Sequence, residues 1–164
     1  MQSELVRNSW HWRYSAAELK SVDLIANQVE AICQQCTVDS ARPRLHMVLG
    51  ELMMNAIDHG LLQLDSDIKS EPGGFDRYQA ERLLRLERLM VGTVRVTADK
   101  ENDKLLRIAI QDSGKGFDYK QVLSGQPEID CLHGRGLLIA RHLCESMKYV
   151  GCGNCVVVEF SISN

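Results

Sequence analysis

The spacing of apolar residues changes period along this chain, and the order of the changes leaves few folds open. Trp10, Trp12 and Tyr14 alternate with His11 and Arg13, a period of two that predicts an opening strand with one buried face. Ser15 and Glu18 form an S-x-x-E capping box, after which Leu19, Val22, Ile25, Ala26, Val29 and Cys33 recur at helical spacing to about Cys36. A second helix is predicted from Ser40 as its N-cap, with Pro43 in the first turn and an apolar stripe of Leu45, Leu49, Leu52 and Ala56 ending at Gly60. From Leu61 to Phe75 the chain turns polar, and Glu71-Pro72-Gly73-Gly74 reads as a loop. Helix resumes near Asp76, where Glu81 and Arg85 pair at i,i+4 while Leu83, Leu84, Leu86 and Leu89 supply an apolar side. The stretch 61–90 therefore reads as an accessory insertion.

Val91 to Thr97 and Leu105 to Gln111 predict an antiparallel hairpin across the polar turn Asp99 to Asp103. A helix opens at Gly134-Arg135-Gly136, and Lys148 to Val150 with Val156 to Ile162 close the sheet around Gly151 to Asn154. Tyr119 to Asp130 reads as a loosely structured lid. The order strand, two helices, accessory helix, hairpin, helix, hairpin describes an α/β sandwich. At 164 residues one domain, 1–164, is expected, since a chain of this size buries roughly 70% of its unfolded surface without staples.

Several function classes fall away on composition. A net charge of -3, with no long basic run, gives no general pull toward nucleic acid. The longest apolar runs fall far short of a membrane span, and Met1 to Arg13 has no central apolar block, so the cytoplasm is the expected location. Six cysteines, at 33, 36, 131, 144, 152 and 155, are then expected as thiols. Cys33-x-x-Cys36 and Cys152-x-x-Cys155 have the form of a four-thiolate zinc site, but Cys33 continues a buried helical stripe, where free cysteine behaves as a small hydrophobe.

Three motifs carry chemistry. On the second helix Glu51, Asn55 and His59 stand four apart on one face, opposite the leucine stripe and with Asp58 beside them, a donor set suited to Mg²⁺ bridged to phosphates. Alone, such spacing more often marks a solvated polar face. Asp112-Ser113-Gly114-Lys115-Gly116-Phe117 directly follows an apolar strand. A carboxylate there can accept a hydrogen bond from the adenine exocyclic amine where guanine presents a carbonyl, and an unpaired buried group costs about 1–3 kcal/mol. The glycines let backbone approach a flat base. Gly134-Arg135-Gly136-Leu137 opens a helix, whose free N–H groups and dipole suit phosphate oxygens. No G-x-x-x-x-G-K-[ST] occurs, which excludes P-loop chemistry, and the absence of β-α-β-α units and of a third glycine disfavours a Rossmann scheme.

Taken in this order the motifs resemble those of the superfamily of gyrase, heat-shock chaperone, histidine kinase and mismatch-repair ATPases. ELMMNAIDHG looks like its N box, DSGKGF its G1 box and HGRGL its G2 box. The resemblance implies an α+β fold, a two-layer α/β sandwich of the Bergerat type with a mainly antiparallel sheet covered by helices. It implies ATP and Mg²⁺ as cofactors, with Asn55 on the metal. Asp58, His59, Asp112, Gly114, Gly116, Phe117, Gly134, Arg135, Gly136 and Leu137 would border the nucleotide. The chain is most similar to the small anti-sigma-factor serine kinases, and its insertion to the longer versions fused to response regulators and phosphatases. That similarity implies Glu51 as general base for a substrate serine, a protein partner in bacterial signalling, and a possible homodimer through the first helix and strand. An alternative is a non-catalytic ATP-binding module controlling a sigma factor or an attached phosphatase. A third is a histidine kinase catalytic domain, although no helical hairpin with a phosphoacceptor histidine precedes the motifs.

Overall fold

A computed structural model describes residues 8–116 and 135–162. Its centre is a five-stranded sheet in the order β1-β2-β3-β5-β4, formed by β1 (Asn8–Ser15), β2 (Thr93–Asn102), β3 (Leu105–Asp112), β4 (Ser146–Val150) and β5 (Cys155–Ser161). Every neighbouring pair is antiparallel. Alternation then determines which side is buried, because a strand sends successive side chains to opposite faces. The register lines up Trp12, Val96, Ile110, Val156 and Tyr149 in one row, and Trp10, Ala98, Ile108, Val158 and Met147 in the next. Their central members are buried and meet the helices, which form the second layer. Each large apolar side chain in such a row contributes about 1.5–3 kcal/mol by leaving water. This is the two-layer α+β sandwich that the sequence motifs imply.

The helical layer departs from the expected boundaries in instructive ways. The capping box exists, since the Ser15 amide and hydroxyl each donate to Glu18 Oε2 at 2.7 Å. It starts only a 3₁₀ turn, Glu18–Lys20, because Ser21 is extended at ψ 131° and its hydroxyl accepts from the Asp23 amide. A short polar side chain that bonds the nearby backbone competes with helix in this way. The first helix, α1, therefore begins at Leu24 and ends at Cys36, and Val22, expected on the buried stripe, is 96% exposed. The second, α2, spans Arg42–Asn55 behind a 3₁₀ turn at Asp39–Ala41, so Ala41 rather than Ser40 takes the cap position. Pro43 sits in its first turn as expected, and Leu45, Leu49 and Leu52 are buried.

The insertion contributes a 3₁₀ turn, Ser66–Ser70, and α3, Gly74–Arg88. The Glu81–Arg85 pair forms at 2.6 Å. The leucine side does not dock as a unit: Leu83 and Leu84 face solvent, while Leu86 and Leu89 pack on the core. The helix is held instead by Tyr78, Arg82 and Arg85, spaced four and three apart on one face. Tyr78 is buried, and Arg85 Nη1 donates to the Leu62 and Gln63 carbonyls at 2.9 Å each. The β2–β3 hairpin also runs longer than its polarity suggests, turning at Asp103 and Lys104 after a bulge at Lys100–Asn102. Helix α4, Arg135–Leu143, precedes β4. Among the described residues no helix is long and apolar enough to cross a membrane.

Candidate functional site

Glu51 and Asn55 lie on the last turns of α2, with the Glu51 side exposed and Asn55 half-buried. Beyond Asn55 the chain does not continue as α-helix: Ala56–Leu61 winds as a π-helix, closed by the Leu62 amide donating to the Ile57 carbonyl at 2.8 Å. His59, on this π turn, is held by partners that follow it in the chain. His59 Nδ1 donates to the Leu64 carbonyl at 2.9 Å, and the Ser66 hydroxyl donates to Nε2 at 3.2 Å. Asp58 turns toward the insertion. Its buried carboxylate accepts from Arg82 Nε at 2.7 Å and from the Tyr78 hydroxyl at 3.0 Å. Beside that negative charge, and buried, the Tyr78 hydroxyl has its pKa pushed well above the ordinary tyrosine range, burial being the larger cause.

The π turn also brings Gly60 against Asp112. A Cβ built on Gly60 would stand 2.5 Å from the Asp112 Cγ, and one built on Gly114 would overlap the Gly60 carbonyl. Sequence reasoning treats Gly60 only as a helix terminator; its place two residues after Asp58 in N-A-I-D-H-G is the signal for more. Asp112 ends β3 in the core-facing row of Tyr14 and Val94, and is buried. Burial pushes its carboxyl above the ordinary aspartate range, against the opposing pull of the Gly114 amide, which donates to Oδ1 at 2.8 Å.

The Asp112 backbone is clamped on two sides. Its amide donates to the Asn154 carbonyl at 2.9 Å and its carbonyl accepts from Asn154 Nδ2 at 3.0 Å, while the Ser113 amide donates to the Thr93 carbonyl at 3.0 Å. Asn154 is a second residue the sequence reading passes over, because G-C-G-N-C reads only as a turn. Gly116, at φ +77°, lies against the same turn, where a Cβ would overlap the Cys152 carbonyl. This is a position that requires glycine.

Helix α4 closes the arrangement from the other side. Gly136, in its first turn, is so near α2 that an added Cβ would overlap the Glu51 carboxylate. Leu137 packs half-buried on the core. Phe117, Gly134 and the expected lid Tyr119 to Asp130 lie outside the described residues, as does the Arg135 side chain. An open cavity of about 470 Å³ borders Glu51, with Val22, Ile25, Met47, Gly50 and Met54 among its walls.

The two Cys-x-x-Cys pairs do not meet. Cys33 and Cys36 are buried at the end of α1, where Lys100 Nζ donates to the Cys36 carbonyl at 3.1 Å, whereas Cys155 pairs with Gln111 at the far end of β3. Among the described residues no three His, Cys, Asp or Glu side chains gather as a metal cluster.

An antiparallel sheet covered by helices on one side, with a strand-end aspartate bedded on Gly60 and Gly114 and with Gly136 packed on Glu51, defines a two-layer α+β domain. Residues 15–160 match the model of the histidine kinase-like ATPase domain. The chain belongs to that family. No curated protein matches it.

Proposed function

We propose that this chain is an ATP- and Mg²⁺-dependent protein serine/threonine kinase-like regulatory domain of the anti-sigma-factor type, acting on a protein partner. The observation that carries the reading is the approach of Gly136 to the Glu51 carboxylate, which sets a candidate base beside a helix N-terminus. The residues present fit the nucleotide: Gly60 and Gly114 pack directly on the Asp112 carboxylate, so that a side chain at either would displace the acceptor from the strand end. Asn55 and the phosphates would share the metal, in keeping with the preference of Mg²⁺ for oxygen donors and retained water. When bound, ATP supplies the transferable phosphoryl group.

The chain's own work is positioning. Asp112 accepts the adenine amine, the first turn of α4 orients phosphate oxygens with its free N–H groups, and Glu51 takes the proton of an acceptor hydroxyl entering from the adjoining cavity. Asp58, committed to Arg82 and Tyr78, would support the pocket wall and the insertion at 61–90 rather than touch the nucleotide.

The decisive test is incubation with labelled ATP and Mg²⁺ alongside candidate partner proteins, read as label on serine or threonine. Tight ATP binding with no transfer to any partner would leave the non-catalytic regulatory module as the function. Two substitutions sharpen the assignment. Asn55→Ala is expected to abolish the Mg²⁺ dependence of nucleotide affinity, read by calorimetry with and without chelator. Asp112→Ala is expected to weaken ATP by roughly 10- to 100-fold, the value of a hydrogen bond lost from a buried group. Because burial raises its pKa, Asp112 protonates at a higher pH than an ordinary aspartate, so the charge-assisted hydrogen bond is at full strength above that raised pKa and weakens as pH falls through it.

A further inference from the structure

The β4–β5 turn carries two thiols beside the clamp on Asp112. Cys152 is exposed and its Sγ donates to Asn154 Oδ1 at 3.2 Å; Cys155, half-buried, opens β5 opposite Gln111. Asn154 stands between them in sequence and holds both the amide and the carbonyl of Asp112. Gly151 and Gly153, at φ +66° and +94°, are the adjustable links of the turn. The Val150–Cys155 strand pair closes a loop of four residues, tightened by the Gly153 amide donating to the Val150 carbonyl at 3.3 Å, which folds Cys152 back over the strand end that Cys155 opens; a disulfide asks for about 4.4–6.8 Å between their Cα atoms.

We propose that Cys152 and Cys155 form an oxidisable dithiol whose closure to a disulfide loosens the Asn154 clamp on Asp112. Hydrogen peroxide is the oxidant. The exposed Cys152, as thiolate, attacks one peroxide oxygen; the O–O bond breaks, and the departing hydroxide takes up the proton that the thiol released, giving water and a sulfenic acid. Cys155 then loses its proton and attacks the Cys152 sulfur; the S–O bond breaks, and hydroxide with that proton gives a second water. Two thiols and one peroxide thus become one disulfide and two waters. The order of events follows exposure. It agrees with the state of Cys155, whose thiol pKa is pushed up by burial and then by the Asp112 charge, disfavouring it as the first nucleophile.

Closing the bond removes the thiol proton that Cys152 gives Asn154 and places Asn154 inside a small ring. The contact between the Cys152 carbonyl and Gly116 is strained by the same movement. The effect on nucleotide rests on the reading of Asp112 as the adenine acceptor; the bond itself and the release of the Asp112 amide do not.

The full chain, reduced and then treated with hydrogen peroxide, is to be followed by peptide mapping, amide hydrogen exchange and ATP calorimetry. The expected results are a linked Cys152–Cys155 peptide, at least roughly tenfold faster exchange at the Asp112 amide, and ATP affinity lower by roughly fivefold to tenfold. All three reverse with dithiothreitol. In Cys155→Ser, oxidation stops at a sulfenic acid that dimedone traps on Cys152, with exchange at Asp112 unchanged. Absence of the linked peptide overturns the proposal, and so does a linked peptide with unaltered Asp112 exchange. Failure of the reduced protein to bind ATP counts against the nucleotide site alone, because the linked peptide and the exchange rates still decide the dithiol.

Discussion

Arg82→Ala is expected to destabilise the domain by about 3 kcal/mol, the lower end of the cost of leaving one member of a buried ion pair without its partner. The side chains of Arg82 and Asp58 are 15% and 8% exposed, so solvent screens the pair little. Tyr78 still donates to Asp58 after the change, which is why the lower end applies. Urea denaturation should show a lower midpoint with an unchanged slope, since the surface exposed on unfolding stays the same. The double change Arg82→Ala with Asp58→Asn should recover part of the loss, because the stranded charge is gone. A single-variant loss under about 0.5 kcal/mol, the ordinary range for surface positions, would show that the insertion is not fastened through this pair.

Glu51→Ala is expected to reduce phosphoryl transfer by roughly 10²- to 10⁴-fold, the usual contribution of a positioned general base. Nucleotide affinity should stay within a factor of about three, since no part of the proposed binding set is removed. The measurement is single-turnover transfer of labelled phosphate to a partner that the wild type phosphorylates, with calorimetry on the same preparation. Transfer at the wild-type rate removes the kinase mechanism. Loss of ATP affinity in step with transfer would instead make Glu51 a binding residue.

The sheet was legible because its strands are written at period two: Trp10, Trp12 and Tyr14, then Val94, Val96 and Ala98, each set falling on the buried side. The strand-end place of Asp112 was equally legible, since an apolar run followed by an aspartate and two glycines needs only local order to be recognised. The insertion was less legible. Leu83 and Leu84 look like a docking stripe, yet the contacts that hold α3 are a tyrosine and two arginines reaching partners 20 or more residues away. Propensity and periodicity report nothing about such pairings, which depend on where the rest of the chain has been placed.

The sequence by itself determined the order of elements, the buried face of the opening strand and the motifs' resemblance to the histidine kinase-like ATPase family, because each is set by spacing within short windows. Only the tertiary structure decided what those motifs touch. Asp58 and His59 find their partners in the stretch that follows the π turn at Ala56–Leu61, Gly60 in that turn seats on Asp112, and the turn ending at Asn154 clamps the same aspartate from the neighbouring strand. The reason is physical: a buried polar group must find a partner, and that partner is fixed by the packed layers around it rather than by its neighbours in the chain.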